Sequence, residues 1–258
     1  MSDILERLVA AAVRRVERDR AEMRSFPAGD ATSGTPADFV FERALRRAGI
    51  SFICEVKKAS PSKGIIAEDF AYVDIAQAYE AAGADAISVL TEPDFFLGSD
   101  AYLREIRGAV GLPLLRKDFI IDPYQIEQSR FLGADALLLI AAILSPVQLR
   151  AYIGMAHELG LSCLVETHDA DEVCTAVAAG ARIIGVNNRN LRTFSVDLRN
   201  SIRLRTHAPA EVAFVAESGI RTPADITALC AHGIDAVLVG ETLMRAPDKA
   251  AMLASLRG

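Results

Sequence analysis

Ser51-Phe52-Ile53-Cys54-Glu55-Val56-Lys57-Lys58-Ala59-Ser60-Pro61-Ser62-Lys63-Gly64 is an apolar run that ends in charge and then in a turn. Side chains alternate along a strand, so Glu55 and Lys57 leave on one side and Cys54 and Val56 on the other. Seven more short apolar runs follow, and nearly every one ends in a group with chemistry available: Thr91, Lys117, Glu166, Asn187, Glu217 with Ser218, and Glu241. Functional groups collected at strand C-termini are the mark of a closed parallel barrel. The expected fold is therefore α/β, a (βα)8 TIM barrel with an N-terminal helical extension.

The remaining segments agree with this. Strands are expected near 52–57, 86–90, 113–117, 136–140, 161–166, 183–187, 212–216 and 236–239. Each is continuously apolar, as in parallel strands covered on both faces. Helical stretches such as Val73 to Ala82, Pro123 to Leu132, Pro146 to Leu159, Ala170 to Ala179 and Pro223 to His232 separate them. A weak repeat marks the turns from helix to strand: Gly83-Ala84-Asp85, Gly133-Ala134-Asp135, Gly180-Ala181-Arg182 and Gly233-Ile234-Asp235. Glycine there ends the helix in a left-handed conformation, and the polar residue starts the strand at the bottom face of the barrel. Ahead of the barrel, Leu5, Leu8, Val9, Ala12, Val13 and Val16 recur at helical spacing and predict an amphipathic helix over 2–24. Phe26 to Pro36 reads as a loop, and a second short helix is expected over 37–48. Residues 1–258 form one domain on this reading, with 1–48 as the extension.

Composition narrows the function. Half of the 258 residues are hydrophobic (51%), enough for a large core, and a net charge of -6 argues against broad attraction to nucleic acid or to an anionic membrane. The longest wholly apolar stretch, Ala136 to Leu144, is too short to span a bilayer, and the charged N-terminus is unlike a signal peptide. Cys54, Cys163, Cys174 and Cys230 are scattered singly and read as buried thiols of a cytoplasmic protein. His168 follows Glu166 by two residues, but no second histidine stands at metal-ligand spacing, so no metal site is expected and His168 reads as a loop or supporting residue.

The strand ends themselves suggest acid–base chemistry. Glu55 and Lys57 would share a confined lumen, where an unpaired charge costs several kcal/mol. Lys117, followed by Asp118-Phe119, is expected to face inward with its pKa lowered by neighbouring cations or by shielding from water, as a proton donor and acceptor or a Schiff-base nucleophile. Glu166 is a candidate base or counter-charge. Asn187 can orient a hydroxyl, and Arg189 can bind a carboxylate or phosphate. Gly219 and Gly240, in the loops after the last two strands, permit the close backbone approach by which barrels commonly hold a phosphate.

Taken together, the chain resembles the indole-3-glycerol phosphate synthase family. The resemblance runs through Glu55 to Gly64, Thr91-Glu92-Pro93-Asp94-Phe95-Phe96-Leu97-Gly98, Leu115 to Phe119, Asp122 to Ile126, Val165-Glu166, Val186 to Leu191, Glu217 to Gly219 and Gly240 to Met244. It implies conversion of 1-(2-carboxyphenylamino)-1-deoxyribulose 5-phosphate to indole-3-glycerol phosphate in tryptophan biosynthesis, with loss of carbon dioxide and water and with no cofactor. By that resemblance Lys117 is the general acid of ring closure and Glu166 an acid/base group in dehydration. Lys57 meets a substrate anion and shares acid duties, while Glu55, Asn187 and Ser218 support them. Ser60, Pro61, Phe96, Phe119, Leu138, Ile140 and Leu191 are candidates for the slot around the substrate. Arg189, Glu217, Gly219, Gly240, Glu241 and Thr242 are candidates for its polar contacts. Thr167 and Thr242 depart from common family choices but keep small or hydroxyl character.

The expected partner is a small sugar-phosphate substrate, with no nucleic acid and no membrane, and the chain is expected as a monomer, a homodimer being the alternative. Competing readings are phosphoribosylanthranilate isomerase, a Schiff-base aldolase and a barrel that binds a phosphate ligand without turnover. The first expects a catalytic cysteine at the end of the first strand, where Cys54 stands in the opposite phase to Glu55 and Lys57.

Overall fold

The computed structural model describes residues 3–22, 38–190 and 193–258. Helix α1 (Asp3–Ala21) and the short α2 (Val40–Leu45) precede the barrel. Strand β1 (Ser51–Val56) is followed by a small antiparallel hairpin, β2 (Ala59–Ser60) and β3 (Gly64–Ile65). The barrel continues through β4 (Ala86–Leu90), β5 (Leu114–Lys117), β6 (Ala136–Ile140), β7 (Ser162–Thr167), β8 (Ile183–Asn187), β9 (Ala213–Glu217) and β10 (Ala236–Val239). These seven and β1 close into a ring of parallel strands in chain order, β10 pairing with β1.

Helices α3 (Tyr72–Ala81), α4 (Asp100–Ala109), α5 (Pro123–Phe131), α6 (Pro146–Glu158), α7 (Ala170–Ala179), α8 (Arg199–Arg205), α9 (Pro223–Ala231), α10 (Glu241–Arg245) and α11 (Lys249–Arg257) lie between and after the strands. Local chemistry starts several of them. Asp122 caps α5, and Ser145 and Thr222 make capping boxes ahead of Pro146 and Pro223. None of the described helices is long and apolar enough to cross a membrane.

Parity along the strands builds two cores. Phe52, Cys54 and Val56, with Leu137, Leu139, Val165, Ile184, Val186 and Phe214, face outward and pack under the helices. Ile53, Leu115, Leu138, Ile140, Leu164, Ile183, Val215 and Leu238 face inward. The inward set is apolar at the N-terminal ends of the strands, and one or two steps further along the same parity it becomes Glu55, Lys117, Glu166, Asn187 and Glu217. Phe41 and Leu45 of α2 join the inner set where the strands begin with the small residues Ala86, Ala136, Ala213 and Ala236. That helix therefore plugs the bottom of the barrel, and Ser51 ties it on by donating to the Ala44 carbonyl at 3.0 Å.

The helix-to-strand repeat has a second purpose that the sequence reading does not anticipate. Gly83, Gly133, Gly180 and Gly233 take positive φ, of 83°, 87°, 92° and 72°, as expected of helix-ending glycines. The aspartates two positions later reach across to the neighbouring strand. Asp85 accepts from the Phe52 N–H, Asp135 from the Leu114 N–H and Asp235 from the Phe214 N–H, at 2.9, 2.9 and 2.7 Å. Three carboxylates thus pin strand starts at the face away from the site.

Several expectations need correction. Helix α2 is shorter than 37–48 because Phe39 takes a left-handed φ of 31° before it and Arg46 leaves the helical region after it. The β2–β3 hairpin has no counterpart in the sequence reading, and the expected alternation of strand and helix gives no bounds for α4, α8, α10 and α11. Cys54 and Cys163 are buried, but Cys174 and Cys230 are exposed because each lies on the outer face of a surface helix. The loop expected over Phe26 to Pro36 lies outside the described residues.

Fully buried Phe41 has no substitute filler at the barrel bottom, so Phe41→Ala is expected to lower the free energy of unfolding by about 3–5 kcal/mol. Urea denaturation measures it, and a loss under about 1 kcal/mol would mean that α2 is not part of the core.

Candidate active site

At the C-terminal end of the barrel a cavity of about 490 Å³ opens above the inner core. Glu55, Lys57, Lys117, Glu166, Asn187, Glu217 and Ser218 line it, together with Ser60, Pro61, Phe96, Phe119, Leu138, Ile140, Arg189, Gly219, Gly240, Glu241 and Thr242. The candidate catalytic and substrate-binding residues among the described ones therefore meet in one place, whereas Thr91, the other strand-end group, does not line the cavity and instead donates its hydroxyl to Asp118 at 2.6 Å. Leu191 lies outside the described residues.

The floor of the cavity is charged. Lys117, on the last position of β5, holds its ammonium 2.6 Å from Glu217 Oε2 and 3.0 Å from Glu166 Oε2. Burial alone would favour the neutral amine, but Glu217 and Glu166, with Glu55 beyond them, outweigh it, and the Lys117 pKa is raised. This corrects the expected lowering: the lysine is surrounded by carboxylates, not by cations. Glu166 is pushed up by burial, yet Lys117 and His168 prevail and its pKa is lowered. Glu217 is the reverse case. Burial and the nearby Glu166 charge exceed the help from Lys117, and its pKa is pushed up to about 7. One acid of the trio is thus a firm carboxylate and the other titrates near neutrality.

Beside them Lys57 makes an ion pair with Glu55. Two glycines leave the room for these groups. An inward Cβ at Gly185 would collide with Glu217 Oε1, and one at Gly240 with Glu55 Oε1 and the Lys57 ammonium. A polar chain completes the floor. Ser218 Oγ donates to Asn187 Oδ1 at 3.0 Å, and Asn187 Nδ2 donates to Glu166 Oε1 at 3.3 Å. Ser218 holds this place at a φ of 68°, a left-handed conformation uncommon for serine and typical of strain kept at a working site.

One wall is apolar and flat. Phe96 and Phe119 stand with ring centroids 6.2 Å apart, above Leu138 and Ile140. Phe96 is placed by its own loop, in which both Glu92 oxygens accept backbone N–H groups, Oε1 from Asp94 at 3.0 Å and Oε2 from Phe95 and Phe96 at 2.8 and 3.0 Å. The opposite rim is cationic. Lys63, Arg245 and Arg189 gather around Glu241 at 3.4, 3.2 and 3.9 Å. Glu241 thus holds cations in place, and the Thr242 hydroxyl donates to the Ile220 carbonyl at 2.6 Å.

Sequence reasoning missed part of this lining. Ile4, Leu5 and Leu8 of α1 and Phe194 close the mouth, and Arg221 and Arg245 add to the rim. The α1 residues read only as a helix-packing stripe, and nothing in their spacing says which surface they cover.

An apolar slot, a buried ammonium between two carboxylates and a cationic rim have the chemistry to receive a molecule flat at one end and anionic at the other. A model of indole-3-glycerol phosphate synthase matches residues 5–256. The chain belongs to that family. It is 56% identical over 257 residues to the indole-3-glycerol phosphate synthase of Ruminiclostridium cellulolyticum, covering 99% of each chain. It is 54% identical over 257 residues to that of Endomicrobium trichonymphae, covering 98% of this chain and 99% of the relative. Among solved structures it is similar in fold to 3-hexulose-6-phosphate synthase from Salmonella typhimurium, with TM-score 0.66 and 16% identity over 80% of this chain and 96% of that one. Thiamine phosphate pyrophosphorylase from Pyrococcus furiosus gives TM-score 0.61 and 15% identity over 84% and 96%. At such identities the likeness is one of fold.

The space at Gly240 yields a test. Gly240→Ala should displace Glu55 and Lys57 while leaving the helices intact, lowering kcat/KM by about 10-fold or more with an unchanged circular dichroism spectrum, since displacements of about 1 Å are that costly in a catalytic constellation. Unaltered kinetics would show that the Glu55–Lys57 pair is not part of the working geometry.

Proposed function

We propose that Lys117 is the acid that closes the ring, and Glu166 the acid/base group of the dehydration that follows. The enzyme is a carbon–carbon lyase of tryptophan biosynthesis that converts 1-(2-carboxyphenylamino)-1-deoxyribulose 5-phosphate to indole-3-glycerol phosphate. The observation that carries the role assignment is the Lys117 ammonium, held between Glu166 and Glu217 in the cavity that Phe96 and Phe119 also line.

Ring closure needs the aromatic carbon bearing the carboxylate to attack the ketone carbon. The ketone oxygen becomes an alkoxide, a far stronger base than an amine, so a buried ammonium both stabilises and protonates it. A lysine whose pKa is raised suits this role and is a poor Schiff-base nucleophile, which disfavours the aldolase reading. Loss of carbon dioxide restores the aromatic ring. Dehydration then moves one proton onto the leaving hydroxyl and removes one from the adjacent carbon, so it needs an acid and a base on neighbouring faces. Glu166 would supply one of these, and Lys57 or Glu217, whose pKa is pushed up to about 7, would supply the other from the same cavity.

The slot of Phe96, Phe119, Pro61, Leu138 and Ile140 would hold the substrate's ring, with Ser60 at its edge. The phosphate would lie at the other rim, against the Gly219 and Gly240 backbone, with Arg189 and the cations fixed by Glu241 nearby. Thr242 would serve by bracing that loop onto Ile220. Holding both ends brings the two carbons together as a near-attack pair. We read residues 1–258 as one barrel domain with 1–48 as its extension, working as a cytoplasmic monomer. The isomerase reading fails on geometry: Cys54 packs in the outer core, away from the cavity, where burial pushes its thiol pKa far up. A barrel that only bound a phosphate ligand would have no use for a buried ammonium shared by two carboxylates.

Lys117→Ala should reduce kcat by about 10²–10⁴-fold while substrate binding is retained. Indole fluorescence developing in the presence of substrate measures turnover, and wild-type rates in this variant would refute the general-acid assignment.

A further inference from the structure

His168 follows β7 directly and stands beside Glu166 without forming a hydrogen bond to it. Its Nδ1 lies 3.0 Å from Glu172 Oε2, and the same oxygen accepts the His168 backbone N–H at 2.8 Å. A carboxylate that accepts from both groups fixes the ring: Nδ1 must carry a proton. The other ring nitrogen, Nε2, is buried and without a hydrogen-bond partner, and it lies 3.5 Å from Glu166 Oε1. If His168 were neutral and Glu166 ionised, two lone pairs would face each other in a dry site. That arrangement is unfavourable, and one proton between Nε2 and Oε1 removes it.

We infer that His168 is a positioning residue for Glu166, and that the two side chains hold one shared proton whose presence sets the charge of Glu166 during turnover. The inference rests on the acid/base reading of Glu166 given above. In this arrangement the imidazolium donates Nε2–H to Glu166 when the acid is ionised. When Glu166 is protonated, neutral His168 accepts from it. His168 touches no substrate-lining space itself and acts through Glu166.

The surroundings favour a charged ring. Burial opposes it, but the Glu172 hydrogen bond and the charges of Glu166, Glu172 and, more distantly, Glu217 on β9 outweigh burial and raise the His168 pKa above the ordinary histidine value. Lys117 on β5 bears on the ring only through Glu166, which it contacts on the other oxygen. Asn187 on β8 donates to the same Glu166 oxygen that faces His168, and Asn200 on α8 donates to the His168 carbonyl at 3.1 Å. Glu166 is therefore approached by a donor from each of three elements. Lys117 and Asn187 donate whatever the pH near neutrality, and of the three side chains the His168 imidazole is the one able to gain or lose its proton in the physiological range.

The sign follows directly. The shared proton is present below the raised midpoint of the pair and is lost as pH rises through it. Nuclear magnetic resonance titration of the histidines, with His168 assigned by the signal missing in His168→Gln, should give a midpoint above about 6.5 in the wild-type chain. That midpoint should fall in Glu166→Gln and in Glu172→Gln. In kinetics, kcat of the wild type should decline on the alkaline side of the same midpoint. His168→Gln keeps a neutral donor at that place but cannot titrate, so its kcat should lose this alkaline limb and drop by about tenfold at pH 6, with KM within about twofold of wild type. His168→Leu should show the same flattened profile.

A His168 midpoint that does not move in Glu166→Gln, or a wild-type kcat profile in both His168 variants, would overturn the inference. Failure of the underlying reading looks different: Glu166→Gln would then retain full turnover while the His168 midpoint still shifted.

Discussion

A lysine ammonium buried against two carboxylates is the constraint around which the rest of this barrel is arranged. Lys117, Glu166 and Glu217 sit within 3.0 Å contacts at the centre of the cavity, and none could be left there alone without a cost of several kcal/mol. The cavity also holds Lys57 paired with Glu55. Among these five groups three carboxylates face two ammoniums, and His168 stands 3.5 Å from Glu166 as a further group able to carry positive charge. Burial and the nearby Glu166 charge push the pKa of Glu217 up to about 7, against the help of Lys117. On the proposed reading, a substrate that carries a carboxylate and a phosphate would find Lys63, Arg189 and Arg245 at the rim as sources of positive charge.

Behind Lys117 the same strand solves a second problem. Arg116 and Asp118 flank it in sequence and point the other way, into the layer under the helices, where both are buried. Arg116 donates to Thr91, Asp118, Asp100, Gln128, Ser129 and the Gln125 carbonyl. Asp118 accepts from Thr91 at 2.6 Å, from Arg116 at 3.2 Å and from Arg15 of α1 at 2.5 Å. Burial pushes the Asp118 pKa up, but Arg15 and Arg116 prevail and keep the group ionised. The consequence is geometric. Each residue next to Lys117 is fixed by charged hydrogen bonds, so the lysine's backbone has no freedom to turn, and the N-terminal helix is joined to the strand that carries it.

How much of this is readable from the sequence depends on whether the information is local. Strands 86–90, 136–140, 183–187 and 236–239 are found as expected, because a continuous apolar run between a glycine turn and a polar end has one reading. Inward orientation of Glu55, Lys117, Glu166 and Glu217 also follows from parity once the strands are placed. The direction of the Lys117 shift does not, since it depends on Glu166 and Glu217, which are 49 and 100 residues away. Nor does the bottom plug by α2, where Phe41 and Leu45 are ordinary apolar residues until the barrel gives them a hole to fill. The Glu92 loop lies between these cases: its residues are a recognisable motif, but only the fold shows that a carboxylate turned back on its own chain is what aims Phe96.

Glycine placement shows the barrel's economy most clearly. On the inward parity, Gly185 and Gly240 occupy positions where other strands send in a side chain, and the space they leave is taken by Glu217 and by Glu55 with Lys57. A closed eight-stranded barrel has room for only a few inward side chains per layer. Long charged groups can therefore converge at its top only if some strands contribute nothing at that level. The absence of a Cβ on β8 and just after β10 is what lets β9 and β1 lean their acids toward the centre. The charged cluster and the two glycines are consequently one feature, and a chain that kept the acids while filling either glycine would have to move them away from Lys117 or Lys57.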